Sequence, residues 1–347
     1  MAGATPKLIK ELREKSGAGM LDCKKALNEC EGNIEEAVKF LREAGLTKAA
    51  KKSSNVAAEG IITILVNDDN TNATMTEVNS QTDFVAKNEQ FLKLVNGITA
   101  HAQANNIADA AALAASSIEG QDFPTFLNEK IAVIGENLVA RKVSNVSGDV
   151  VNAYVHLGKV GVILAATCDD AAREKTVDLL KKVAMHAASM KPTVISYQDL
   201  AADFIESENK AIIADIEKEN EELVRLGKPL KNIPEFVSRV QLTDEAIATA
   251  EAAMKEELLA QGKPEKIIGN IVKGKIARWI EDNSQLDTAH ALLSQTYVMD
   301  DSMTVEQAIA ACDPSIKLTE YVRFELGEGI EKKEEDFAAE VAAQMGK

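Results

Sequence analysis

Four histidines (His101, His156, His186, His290) and four cysteines (Cys23, Cys30, Cys168, Cys312) are the side chains here best suited to metal binding or nucleophilic chemistry. The histidines show no metal-ligand spacing. No two cysteines form a CxxC pair, and Cys23 and Cys30 lie too far apart along one expected helix for a disulfide, so all four read as reduced thiols in the cytosol. No GxxxxGK[ST] loop exists to cradle phosphate. Gly17-Ala18-Gly19 and Gly327-Glu328-Gly329 each lack the third glycine of a dinucleotide fingerprint. GxSxG, HExxH and Cys-His signatures are also missing. The abundant carboxylates read as solvated faces. The sequence therefore points to binding, with no catalytic residue, no resident metal and no cofactor.

The informative local feature is Thr82-Asp83-Phe84-Val85, between an expected strand and an expected helix. Thr82 can cap that helix, and Asp83 then sits where the helix dipole favours an anion. The residues alone allow two readings of Phe84. It is either a buried side chain at a helix start, or an exposed aromatic wedge beside a carboxylate, aimed at a partner. The plain reading of His156 is a satisfied core histidine.

Bulk properties narrow the class. The 347 residues are 46% hydrophobic and 27% charged, ordinary for a globular protein of two or three domains, and the aromatic content of 4% suits helices rich in Ala, Glu, Lys and Leu. The net charge of -16 repels phosphate backbones, which argues against direct nucleic-acid binding. Met1 to Lys10 carries no apolar h-region, and no stretch approaches the roughly 20 apolar residues of a membrane span. The expected setting is cytoplasmic, without membrane contact.

The expected fold class is α+β. Residues 1–45 read as a three-helix, ubiquitin-associated-like module. Thr5-Pro6 opens the first helix, Gly17-Ala18-Gly19 separates the first two, and Asn33 with Glu36 caps the third, which Gly45 is expected to end. Residues 46–55 (LTKAAKKSSN) read as a linker. A strand pair at 60–66 and 73–79, a helix carrying Phe91, Leu94, Val95 and Ile98, and a strand near 138–146 make a first core subdomain over 56–147. The pattern recurs with strands at 150 and 161 and a helix over 171–190 that Pro192 ends. This second subdomain, 148–198, is completed by 284–330 with a strand at 321–326. A helical module is expected over 331–347.

Residues 199–283 are helical throughout and read as an inserted antiparallel coiled coil. Residues 203–224 hold eight acids against two lysines, with Ile205, Ile212, Ile216, Leu223 and Leu226 near heptad spacing. Gly227-Lys228-Pro229 recurs as Gly262-Lys263-Pro264, 35 residues later, which is a whole number of heptads. Such an insertion should be separable from the core, with the extra length inside 203–243.

Four separated motifs carry a resemblance. LREKSGAGMLDCKKAL from Leu12, EVNSQTDFVAK from Glu77, SGDVVNAYVHLGKVGVIL from Ser147, and VRFELGEGIEKKEEDFAAEVAA from Val322 resemble, in order, the motifs of the elongation factor Ts family. The resemblance implies a guanine-nucleotide exchange factor that binds the GDP form of elongation factor Tu during translation elongation, and not an enzyme. It implies that Thr82, Asp83, Phe84 and Val85 disturb the partner's Mg2+ and phosphate site. Arg13, Met20 and Leu21 fall in the family's N-terminal contact region, and His156 matches a histidine the family places near the partner. The competing function is an interaction scaffold or holdase built on the ubiquitin-associated-like module.

Overall fold

The computed structural model describes residues 4–331. The helical module expected over 331–347 falls outside these but for its first residue. Three helices open the chain: α1 (Pro6–Ser16), α2 (Met20–Glu29) and α3 (Ile34–Lys52). Thr5 Oγ1 accepts the Leu8 amide at the start of α1, and Gly17 ends it in the left-handed conformation. Asn33 caps α3 by accepting from the amides of Glu35 and Glu36. Leu12, Cys23, Ala26, Leu27 and Ala37 are buried between the helices, with Leu8, Ile9, Ile34, Val38 and Leu41 packed against them.

The expected stop at Gly45 does not occur. Helix α3 runs on through the supposed linker to Lys52. The glycine serves close approach instead. A Cβ there would stand 3.0 Å from the Cβ of Ala132 in the later helix α7, so the bare backbone lets the two helices touch. Arg42 and Glu129 pair across the same contact at 2.5 Å.

Next come β1 (Glu59–Val66), β2 (Asn72–Ser80), α4 (Asp83–Ala86), α5 (Glu89–Ala104), α6 (Ala110–Ala114), the short strands β3 (Ser117–Ile118) and β4 (Gln121–Asp122), α7 (Phe123–Ile134) and β5 (Val139–Ser147). Strand β2 lies between β1 and β5, antiparallel to both. The expected face of α5 is the buried one: Phe91, Leu94, Val95 and Ile98 form a core with Val78, Phe126, Leu138 and Val143. Then follow β6 (Val150–His156), β7 (Val160–Thr167), α8 (Arg173–Met190), α9 (Ala202–Arg225), α10 (Asp244–Ala260), α11 (Glu265–Asp282), α12 (Gln285–His290), α13 (Val305–Cys312) and β8 (Lys317–Glu325). The second sheet has the order β6-β7-β8. Both sheets thus place the second strand of a hairpin between the first strand and a strand that arrives later. The last strand starts at Lys317, earlier than expected from 321–326.

The chain divides into two compact units, one of residues 1–165 with 322–347, the other of 166–321. In the first, Val151, Ile163 and Ala165 share a core with Ile62, Ala73, Met75 and Val146.

In the second unit, the helical insertion departs from a single coiled coil. Helices α10 and α11 form an antiparallel pair whose core is Leu258, Ile268 and Val272, with Lys275 bridging to Glu257 at 3.1 Å. The seam of α9 is different. Ile205 is buried and Ile212 packs nearby, but Leu226 is exposed. The chain returns from α9 as an extended segment, not as a helix, held where Asn220 brackets both backbone groups of Lys231. Pro229 and Pro234 disfavour helix in that stretch. The GKP repeat is a repeat of turns. At each site the lysine amide donates to a carbonyl five residues back, Lys228 to Leu223 and Lys263 to Leu258, and the glycine is left-handed. This is the Schellman cap. At its end the 203–243 stretch is tied to the rest of its unit. Val237 is buried with Leu200, Ile205 and Leu286, and the Arg239 amide donates to Asp287 at 2.8 Å.

Candidate functional site

The Thr82–Val85 segment forms α4, a helix of only four residues on the N-terminal side of α5. Thr82 is its N-cap, with Oγ1 accepting from the Val85 amide at 3.4 Å. The Ser80 hydroxyl donates to the Thr82 carbonyl at 2.9 Å. Val85 and Ala86 pack against the core beneath β1 and β2. With Thr82 tied on one side and Val85 anchored on the other, Phe84 has no core to enter and stands 81% exposed. The open reading of Phe84 is thereby resolved: it is a surface aromatic, and Val85 is the side chain that points inward. Asp83 accepts from Lys87 Nζ at 2.7 Å. That hydrogen bond holds its carboxyl below the usual range, opposed by the negative charge of Glu59.

His156 is exposed at the end of β6 and is no core histidine. Its Nδ1 lies 3.0 Å from the Tyr154 hydroxyl. The next residue, Leu157, is in the left-handed conformation and 83% exposed, a side chain that no sequence pattern marked. Gly158 seats this turn on β1. Its carbonyl accepts the Ile62 amide at 2.8 Å, and a Cβ there would stand 2.6 Å from Ile61 Cγ1. Lys159 then pairs with Glu59 at 3.1 Å. Glu59, at the start of β1, is thus paired with the hairpin turn. Both the Phe84 helix and the His156–Leu157 turn lie against β1.

Arg13, Met20 and Leu21 belong to the three-helix module. Met20 and Leu21 open α2 immediately after Gly19, and they are 61% and 82% exposed. Arg13 is exposed on α1. These three are presented by their own module, separately from Phe84. Two acidic residues that the sequence did not mark tie distant segments together, and the second of them holds the site. Glu77, wholly buried in β2, accepts from Arg141 Nη1 at 3.1 Å and from the Gly327 amide at 2.9 Å. Glu136, just past α7, accepts from the amides of Gln81 and Thr82. Among the described residues, no group of three His, Cys, Asp or Glu is arranged to hold a metal, and no helix is long and apolar enough to cross a membrane.

Fold and site define an α+β protein with small antiparallel sheets that presents apolar side chains at the starts of helices and on a hairpin turn. The sequence profile of the family described as Elongation factor TS matches residues 81–328. An elongation factor Ts of Aliarcobacter butzleri (strain RM4018) is 69% identical over the full length of both chains. One of Campylobacter hominis is 51% identical over 99% of each, and one of Helicobacter pylori (strain J99) is 49% identical over 99% of this chain and 100% of its own. The chain belongs to the elongation factor Ts family, and with it to the elongation factors of protein biosynthesis. These alignments run nearly end to end and so take in the stretch that holds the helical insertion.

Proposed function

We propose that this chain binds elongation factor Tu in its GDP form and promotes release of the nucleotide, with Asp83 and Phe84 as the acting residues. The observation that carries the reading is Phe84, an aromatic left exposed on a short helix that is fixed at both ends. Ordering a flexible aromatic on binding costs free energy; one already held in place avoids most of that cost. In the proposed mechanism Phe84 and Asp83 intrude between two switch-region helices of the GTPase. The partner's Mg2+ bridges nucleotide and protein there, and disturbing it removes a large local charge contribution to GDP affinity. Coupling of this kind is reciprocal: the factor weakens nucleotide binding, and incoming nucleotide weakens the factor by the same ratio. No bond is made or broken, so the chain acts as a binding protein and not as an enzyme.

Met20 and Leu21, with Arg13, supply a second contact through the three-helix module. His156 and Leu157 extend the contact made by the Phe84 helix. The acidic chain contacts no nucleic acid directly and works in the cytoplasm. The test is release of a fluorescent GDP from elongation factor Tu, followed by stopped flow as this chain is added. The rate should rise with concentration to a plateau. A rate that does not change with added protein would refute the proposal.

A further inference from the structure

We propose that Glu136 is a positioning residue for Phe84: its carboxylate fixes the chain entering α4 and so sets the direction in which the aromatic is presented to the GTPase. The inference rests on the reading of Phe84 as the residue that acts on the partner. Glu136 Oε2 accepts from the Gln81 amide at 3.1 Å and the Thr82 amide at 3.0 Å, and Oε1 accepts from the Thr82 hydroxyl at 2.7 Å. One side chain therefore takes three hydrogen bonds from two consecutive residues. Bonds to an ionised acceptor are shorter and stronger than neutral ones.

The segment needs such a clamp. A four-residue helix has no cooperative length of its own, and nearly all of its amides lie in an unpaired first turn. The Thr82 cap on Val85 is long at 3.4 Å and supplies little alone. Glu136 itself cannot drift. It follows Gly135, which ends α7 in the left-handed conformation with its amide on the Ile131 carbonyl at 2.8 Å. On its other side the Asn137 side chain donates to the Asn55 carbonyl at 2.8 Å, and Leu138 is buried. The clamp joins two rigid parts of the same unit.

The experiment uses the full chain with Glu136→Ala, Glu136→Asp and Glu136→Gln, each in the wild-type and the Phe84→Ala background. GDP release from elongation factor Tu is titrated to saturation. Glu136→Ala should lower the plateau roughly tenfold, the scale for losing hydrogen bonds to a charged group, with the half-saturating concentration nearly unchanged. Glu136→Asp keeps the charge but is one methylene short, and should fall with it. Glu136→Gln keeps an oxygen acceptor for both amides and should recover most of the rate. In the Phe84→Ala background all three should leave the plateau unchanged, because Glu136 acts through Phe84. A wild-type plateau for both Glu136→Ala and Glu136→Asp would overturn the inference. So would the same loss with and without Phe84, which a merely structural role predicts. Should Glu136→Ala not fold, Glu136→Asp and Glu136→Gln carry the same comparison. If Phe84→Ala alone leaves release unchanged, the Phe84 reading fails, and that arm contains no change at Glu136.

Discussion

His186 is wholly buried in α8, with Nε2 3.0 Å from Gln295 Oε1 and Nδ1 accepting the Val298 amide at 3.2 Å. The amide at Nδ1 requires the neutral ring, whose Nε2 proton then goes to Gln295. Burial pushes the imidazole below its ordinary value, against the hydrogen bond its ring donates to Gln295, which pulls it up. A group depressed on folding contributes stability above its unfolded value, and that contribution is lost as pH falls towards the folded one. Melting temperature measured from pH 7.5 to 5 should therefore drop below about pH 6.5. His186→Asn, which can keep an acceptor and a donor, should show a flatter profile; an equally steep one would assign the drop elsewhere. At this scale the sequence showed local chemistry and hid long-range chemistry. Thr82 as a cap was legible because its partner, Val85, is three residues on. The side of the chain that Phe84 takes was not legible, since it depends on Glu136, more than 50 residues away.

Helices and strands were legible wherever periodicity and breakers agreed. The β1–β2 hairpin, the buried face of α5 and the end of α8 before Pro192 all lie within a residue or two of where the pattern put them. Gly45 misled because glycine breaks helices and also lets them touch; only the presence of Ala132 distinguishes the two. The heptad spacing on α9 misled because a seam needs a helical partner, and Pro229 and Pro234 make its partner an extended strand of chain. Removing 203–243 would take away Ile205 and Val237, each worth roughly 2 kcal/mol of burial, and leave Asp287 without the Arg239 amide. A shorter excision avoids this. Ile216 and Asn232 line one cleft, so a variant with Glu217–Lys231 replaced by a short Gly-Ser bridge spares both Ile205 and Val237. That variant should show little change in melting by circular dichroism and a near-normal rate of GDP release. A tenfold slower release from a folded variant would show that the end of α9 takes part in exchange. In the intact chain the same stretch, with Val224 and Leu226 exposed, should exchange its amides well before α8 does.

At the scale of the whole molecule, the contacts proposed for the partner divide between two supports. Met20 and Leu21 ride on the three-helix module, while Phe84 and Leu157 ride on the sheet core. Helix α7 connects them: α3 packs on its side through Gly45, and Glu136 follows its last turn. A module held this way should contribute affinity, leaving the exchange step to the core. Leu21→Glu, at a side chain that supports no core, should raise the half-saturating concentration for GDP release and leave the plateau nearly intact. A lowered plateau with an unshifted half-point would contradict that division.

The central claim is that Phe84 drives nucleotide release, and the most direct measurement is the saturated rate of GDP release from elongation factor Tu with Phe84→Ala beside the wild type. Truncating an aromatic anchor at an interface typically costs about 2 kcal/mol or more, which is roughly a thirtyfold change if it is felt wholly at the exchange step. The account predicts a plateau lowered by about that factor, with the variant folded as the wild type is. A Phe84→Ala plateau equal to the wild-type one, at unchanged affinity for the partner, would contradict it.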